Sequence, residues 1–394
     1  MSLSWSDIIA RGRRLWRRLA HSTVAERKQT LPYVDGLRGI AILMVISYHL
    51  AMQVGSPFKV HAVAALLGAG DRGVQLFFIL SAFTLFISSE KRFRTDRRPV
   101  LSFYIRRWFR ILPFWLLVNL LWAIILRPSL TTLALSTTFL FGFVRFAGYE
   151  LVPGGWSLFV EETFYVFLPL IFGHIRNWYR ALGFAAILGI ISVIWWAQAP
   201  HVHAFNGPSN FIFFAPPAQW FAFGLGILLF YIISNPRVRR YLLENPSAHF
   251  WLDAATVLAA LVLLAHEYRG ATLALLLLVF TSVPTGTLFG RLARLPLLRR
   301  FGRYSYSLYL LHFMFLTTLA PVRNWLWRTA HLTHGPAELK LAVYIPVFCA
   351  VMLAVGFLSF NLLEKPCIDL GRQINAWLNR RRLATATAAE LTAL

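Results

Sequence analysis

An all-α polytopic membrane bundle, of about ten transmembrane helices plus a re-entrant or interfacial segment, is the fold class predicted here. Three observations predict it. The 394 residues are 58% hydrophobic and 14% charged, with 34 Phe and 14 Trp, a mixture foreign to water-soluble domains. Ten apolar stretches have the length that crosses a bilayer. The linkers between them are short and hold the basic residues in clusters, as cytoplasmic anchoring and anionic lipid contact require. That clustering turns a formal charge of +23 into a membrane signature and excludes nucleic acid as a partner. Cys349 and Cys367 supply neither a disulfide framework nor a metal cluster.

In chain order, residues 1–32 interleave Arg11, Arg13, Arg14, Arg17 and Arg18 with Trp5, Ile8, Leu15 and Trp16, the pattern of a basic amphipathic helix on the cytoplasmic surface. The transmembrane domain occupies 33–370 and a cytoplasmic tail 371–394. Its spans read as 36–55, 73–89, 111–127, 157–173, 181–198, 211–233, 251–266, 270–288, 304–320 and 341–363. The stretch 131–147 is apolar but short and rich in Thr and Ser, and charge decides its path. If it folds back, 30 of the 39 Lys and Arg fall on the cytoplasmic side and 8 outside, with Arg38 at the boundary. A crossing there would invert every later loop. Ten crossings with both termini cytoplasmic are therefore expected.

The stretch YVDGLRGIAILMVISYHL, 33–50, places Arg38 and His49 eleven residues apart, on nearly the same helix face and roughly 16 Å apart along the axis. Ionisable groups at membrane depth cost about 2–3 kcal/mol on insertion scales and usually face a protein interior. Two readings hold: a buried histidine bonded to a neighbouring helix, or a working base. Glu161 and Glu162, early in the span that starts near Ser157, should lie in the same outer half of the bilayer as His49. A carboxylate there could orient the imidazole as a general-base pair, or simply pair with an arginine.

Arg106, Arg107 and Arg110 open the third span at spacings of three and four, suited to bidentate phosphate contact or to lipid headgroups. In YSYSLYLLH, Ser305, Tyr309 and His312 share a face, with Tyr304 and Ser307 nearby, to line a cavity or to join helices. His201, His203, His331 and His334 lack companion ligands, so no metal site is predicted. Phosphate loops of the GxxxxGK or GxGxxG type and a GxSxG elbow are absent from the sequence.

Taken together these pieces resemble the acyltransferase 3 family of integral membrane O-acyltransferases. The matches are DGLRGIAILMVISYH, GVQLFFILSAF at 73–83, RRWFR at 106–110, WSLFVEETFYVFLPL at 156–170, YSYSLYLLH at 304–312 and LEKP at 363–366, in the family's order. Family members commonly carry Asp and Gly where this chain has Gln75 and Ala82. The resemblance implies a bacterial inner-membrane enzyme that moves an acyl group, most often acetyl from acetyl-CoA, to a hydroxyl of a cell-envelope or exported polysaccharide or lipid-linked glycan. Acetyl-CoA is then a co-substrate, and no cofactor is implied. By position His49 is the base or acyl carrier, Arg38 its aligned partner and Glu161 the acidic residue. Arg107 and Arg110, with Arg106, are the donor-binding group. Trp156, Ser157, Tyr304, Ser305, Tyr309 and His312 are the cavity-lining candidates. The rival reading is a proton-coupled transporter or permease relaying protons through the intramembrane His and Glu. A structural component of a polysaccharide export assembly is a third.

Overall fold

The computed structural model describes residues 31–55, 57–96, 98–144, 150–201, 211–263 and 268–392. The basic segment expected at 1–32 lies almost wholly outside them. Within hydrocarbon no water satisfies peptide groups, so each apolar stretch closes its N–H and C=O groups on itself as a helix. The spanning helices are α1 (Pro32–Met52), α2 (His61–Gly68) continuing through a 3₁₀ turn at Ala69–Arg72 into α3 (Gly73–Thr95), and α4 (Pro99–Leu126). The short α5 (Leu130–Thr137) precedes α6 (Gly155–His174) and α7 (Trp178–Gln198). After them come α8 (Phe211–Phe214), α9 (Pro216–Ser234), α10 (Pro236–Glu244), α11 (Pro246–Leu263) and α12 (Tyr268–Thr281). The chain then runs through α13 (Leu288–Leu292), α14 (Pro296–Arg303), α15 (Ser305–Thr318) and α16 (Ala320–Thr329). The last elements are α17 (Ala337–Ser359), a π-helical turn at Phe360–Glu364 and α18 (Lys365–Thr392).

Seven helical stretches are long and apolar enough to cross a bilayer, and α15 with α16 makes an eighth, bent 59° at the junction. Pro246–Val262 and Gly270–Thr281 are shorter apolar helices. Each of the ten expected spans coincides with helix over most of its described residues, and no strand occurs among the described residues. Proline opens α1, α4, α9, α10 and α14, where its missing N–H leaves no bond unmade. Elsewhere side chains close the helix starts: Ser129 accepts the Thr132 N–H and Asn177 that of Arg180, each at 3.1 Å.

The ambiguous 131–147 stretch folds back. Eight helical residues reach only about 12 Å, and α5 lies against the later turns of α4. There Ser136 donates to Asn119 at 2.6 Å, the Trp115 indole N–H donates to the Thr137 carbonyl at 3.3 Å, and Trp115 stacks on Phe139. Consequently α4 finishes and α6 starts at one end of the bundle.

Side-chain contacts then sort the linkers to two ends. Near Arg38 gather α14, the start of α4 and α18: Gly302 meets Asp35, Arg294 covers the Tyr33 ring, and Asn375 donates to the Ser102 carbonyl at 3.3 Å. Near His49 gather Asp71, Glu150, Trp196 and Phe213, while Arg323 donates to Gln53 at 2.6 Å. α18 continues through residue 370, and Gly371 packs on Phe109.

Candidate active site

Two cavities lie one above the other between α1, α3, α6 and α15. The first, toward the basic end, is narrow, about 90 Å³. Arg38 enters it from α1, Ser81 from α3, Arg107 and Arg110 from α4, Glu161 and Tyr165 from α6, and Ser305, Tyr306 and Tyr309 from α15. Glu161 is fixed by hydroxyls: Ser81 and Tyr165 both donate to one of its carboxylate oxygens. Arg107 lies 5.5 Å from the Tyr165 ring centroid and 5.8 Å from that of Phe103. Among the described residues neither Arg107 nor Arg110 forms an ion pair, so both guanidinium groups keep donors for an anion. Arg299 and Arg303 from α14 add to the field there, since both act on Asp35 together with Arg38 and Arg110.

The second cavity, about 960 Å³, is wide and of different chemistry. Tyr48, Trp156, Trp196, Phe213 and Phe214 give it aromatic faces, and Asp71 and Glu150 give it carboxylates. Trp156 lies parallel to Phe214 at 4.4 Å. Glu150 accepts the Trp156 N–H at 2.9 Å, and burial lifts its carboxyl from 4.5 to about 7. His49 lines this cavity and bonds through Nδ1 to the Val45 carbonyl at 2.8 Å. A carbonyl oxygen only accepts, so Nδ1 carries the proton and Nε2 keeps the basic lone pair. Behind it stand His312, with ring centroids 5.1 Å apart, and Phe313, edge-on at 4.5 Å.

With this arrangement in hand, the comparisons with known proteins decide the family. Residues 31–360 match a family model described as an acyltransferase domain, Acyl_transf_3. The chain belongs to the acyltransferase 3 family. It is 24% identical over 385 residues to O-acetyltransferase OatA of Staphylococcus aureus, covering 89% of this chain and 59% of that protein. It is 27% identical over 401 residues to acyltransferase MdmB of Streptomyces mycarofaciens, covering 90% and 95%. No solved structure matches. The chain thus spans three fifths of the length of the first of these relatives and nearly all of the second.

Most family motifs converge on the two cavities, with several departures from the positions the sequence suggests. His49 and Glu161 line different cavities, so the carboxylate does not hold the imidazole. Glu161 sits six residues beyond Gly155, about 9 Å down the axis of α6, and lines the cavity that holds the arginines. Arg106 turns away and pairs with Asp96 at 3.1 Å, because one residue rotates a helix by about 100° from Arg107. Trp156 lines the His49 cavity, Ser157 and Ser305 the narrow one, and Tyr309 both. Tyr304 lines neither and packs on Phe357 and Phe360. His312 is fully buried behind His49, its Nδ1 on the Tyr309 carbonyl and its Nε2 without a partner.

Gln75, at the family's Asp position, is also outside both cavities and donates to Gln219 at 3.2 Å, joining α3 to α9. The LEKP acid, Glu364, is buried at the π-helical turn, where Ser307 donates to it. Among the polar site residues, Ser81, Tyr165, Tyr306, Asp71 and Glu150 escaped the sequence reading. Tyr165 was legible in principle, because it follows Glu161 by four on one helix face inside a family motif. Glu150 was not, since only the fold-back of the 131–155 segment brings it to His49.

Proposed function

We propose that the protein is a membrane O-acyltransferase. It takes an acetyl group from acetyl-CoA at the cytoplasmic side of a bacterial inner membrane and passes it to a hydroxyl of a cell-envelope or exported glycan, or of a lipid-linked glycan. One observation carries the proposal: a cavity lined by arginines and a cavity holding a basic imidazole share a wall, at Val74 and Tyr309. Arginines suit the phosphates of the donor, and the aromatic and carboxylate faces around His49 suit a sugar's apolar faces and hydroxyls.

In the reaction, Arg107 and Arg110 hold donor phosphates near the basic end while the thioester arm extends toward the shared wall. Nε2 of His49 removes the proton of the acceptor hydroxyl, and the oxygen attacks the thioester carbonyl. The C–O bond forms as the C–S bond breaks, and the thiolate leaves toward the arginines and takes up a proton. Glu161, fixed by Ser81 and Tyr165, balances the cations Arg38 and Arg107 and keeps the narrow cavity open for an anionic donor. OatA is named an O-acetyltransferase and MdmB an acyltransferase, which supports the reaction class.

The test uses membranes of cells that express the full chain, given acetyl-CoA labelled in its acetyl group. Label on a glycan and release of free thiol are expected; a transporter would leave acetyl-CoA intact and release none. His49→Ala should lower transfer by about 100-fold to 10 000-fold, the usual contribution of a positioned base, at unchanged protein abundance. Near-normal turnover in that variant would remove His49 from the chemistry.

A further inference from the structure

Among the described residues two side chains line both cavities, Val74 of α3 and Tyr309 of α15. An isopropyl group and a phenol ring thus stand at the boundary between the arginine side and His49. Val74 is buried, at 7% exposure, and sits on a helix whose neighbouring residues are packed against α1 and α9. Tyr309, equally buried, is tied at its far end. Its oxygen accepts the Ser157 hydroxyl at 2.8 Å and its own hydroxyl donates to the Gly154 carbonyl at 3.1 Å. The ring is further fixed edge-on by Phe77, with centroids 6.2 Å apart, and at a tilt by His312 at 5.6 Å. Packed interiors behave as rigid solids rather than fluids, so a ring held at its edge and its tip does not make room for an additional methylene. The approach from the arginine side is narrow as well, and its apolar wall comes from Phe77, Phe78, Ile111 and Leu158.

We propose that Val74 and Tyr309 form a size-selecting partition: it admits a two-carbon acyl group to His49 and turns back longer ones. This rests on the donor assignment above and adds to it the side chains that select the length of the acyl group. The pair acts on the moving acyl chain through its shape. The Tyr309 hydroxyl, already engaged by Ser157 and Gly154, serves to fix the ring.

The experiment is a donor series, acetyl-, propionyl- and butyryl-CoA, given to membranes of cells expressing the full chain, with kcat/KM read from thiol release. A methylene against a fitted apolar wall discriminates by about tenfold or more. The unsubstituted protein should therefore prefer acetyl over butyryl by roughly a hundredfold. Val74→Ala, which removes two methyl groups from the wall, should lower that ratio about tenfold. Tyr309→Phe, which keeps the ring and frees its tip, should lower it in the same direction by less.

A ratio unchanged in both variants while acetyl transfer continues overturns the partition and leaves the acyltransferase reading intact. So does a uniform fall for all three donors, which is what a purely structural role predicts. Equal use of the three donors by the unsubstituted protein likewise overturns the partition alone. No thiol release from any donor overturns the donor assignment, and the partition with it.

Discussion

Burial carries the Glu150 carboxyl up to about 7, against the backbone N–H groups of Trp156, Gly155 and Gly154, which pull it down. Between 4.5 and about 7 the folded protein keeps a proton that the unfolded chain has released, so the native state binds more protons there. Stability from this group is accordingly greatest below pH 4.5 and is lost as pH rises to about 7. The ceiling is about 3 kcal/mol. Glu150→Gln should flatten that part of the curve, raising the melting temperature near neutral pH and changing it little near pH 4.5; thermal unfolding of the two proteins at both pH values checks this. An identical pH dependence in the two would remove Glu150 as its source. The same residue illustrates what sequence concealed. Nothing in its neighbours marks a lone glutamate between Tyr149 and Leu151, whereas Tyr165 stands in register with Glu161.

At the scale of elements, α1 packs tightly on α14 and on the turn before it, at the basic end that carries Arg38. A Cβ on Gly36 would stand 1.7 Å from the Ala293 carbonyl oxygen, and one on Gly302 would stand 1.6 Å from that of Asp35. Backbone meets backbone there, a contact that only glycine allows. It sets Arg299 and Arg303 beside the helix that carries Arg38. Gly302→Ala must therefore push α14 away from α1, at a cost of about 1–3 kcal/mol or more. Thermal unfolding in detergent should show the loss, together with a raised KM for acetyl-CoA; full stability would mean that the helices can part freely. The fold-back of α5 is the other decisive element. Its Thr and Ser content made 131–147 ambiguous, and the charge balance resolved the path, but the partners Asn119 and Trp115 that hold it were not readable from spacing.

For the whole molecule, the contacts bring Arg38, α14, the start of α4 and α18 to one end and His49 with the 53–72 and 150–155 segments to the other. The proposed orientation, taken from the positive-inside rule, puts the first end on the cytoplasmic side. With Cys349 and Cys367 replaced by serine, a single cysteine at Lys59 should react with an impermeant maleimide on intact cells. One at Arg176, in the linker at the opposite end, should react only after permeabilisation. Both positions are exposed. Reversed labelling would invert the orientation and put the arginine cavity on the wrong side for cytoplasmic acetyl-CoA.

The sequence by itself determined that this chain is a helical membrane bundle of the acyltransferase 3 family. The lack of water in hydrocarbon forces apolar stretches into helices, and family motifs stay in order along a chain. Only the tertiary structure decided which of the polar residues meet. Depth and facing depend on where each helix starts and how it is rotated: Glu161 lines the arginine cavity and not the one that holds His49, and Arg106 differs from Arg107 by about 100°. Those offsets separate the imidazole from the expected acid, leave the Val45 carbonyl to orient it, and put Tyr309 and Val74 between the two cavities.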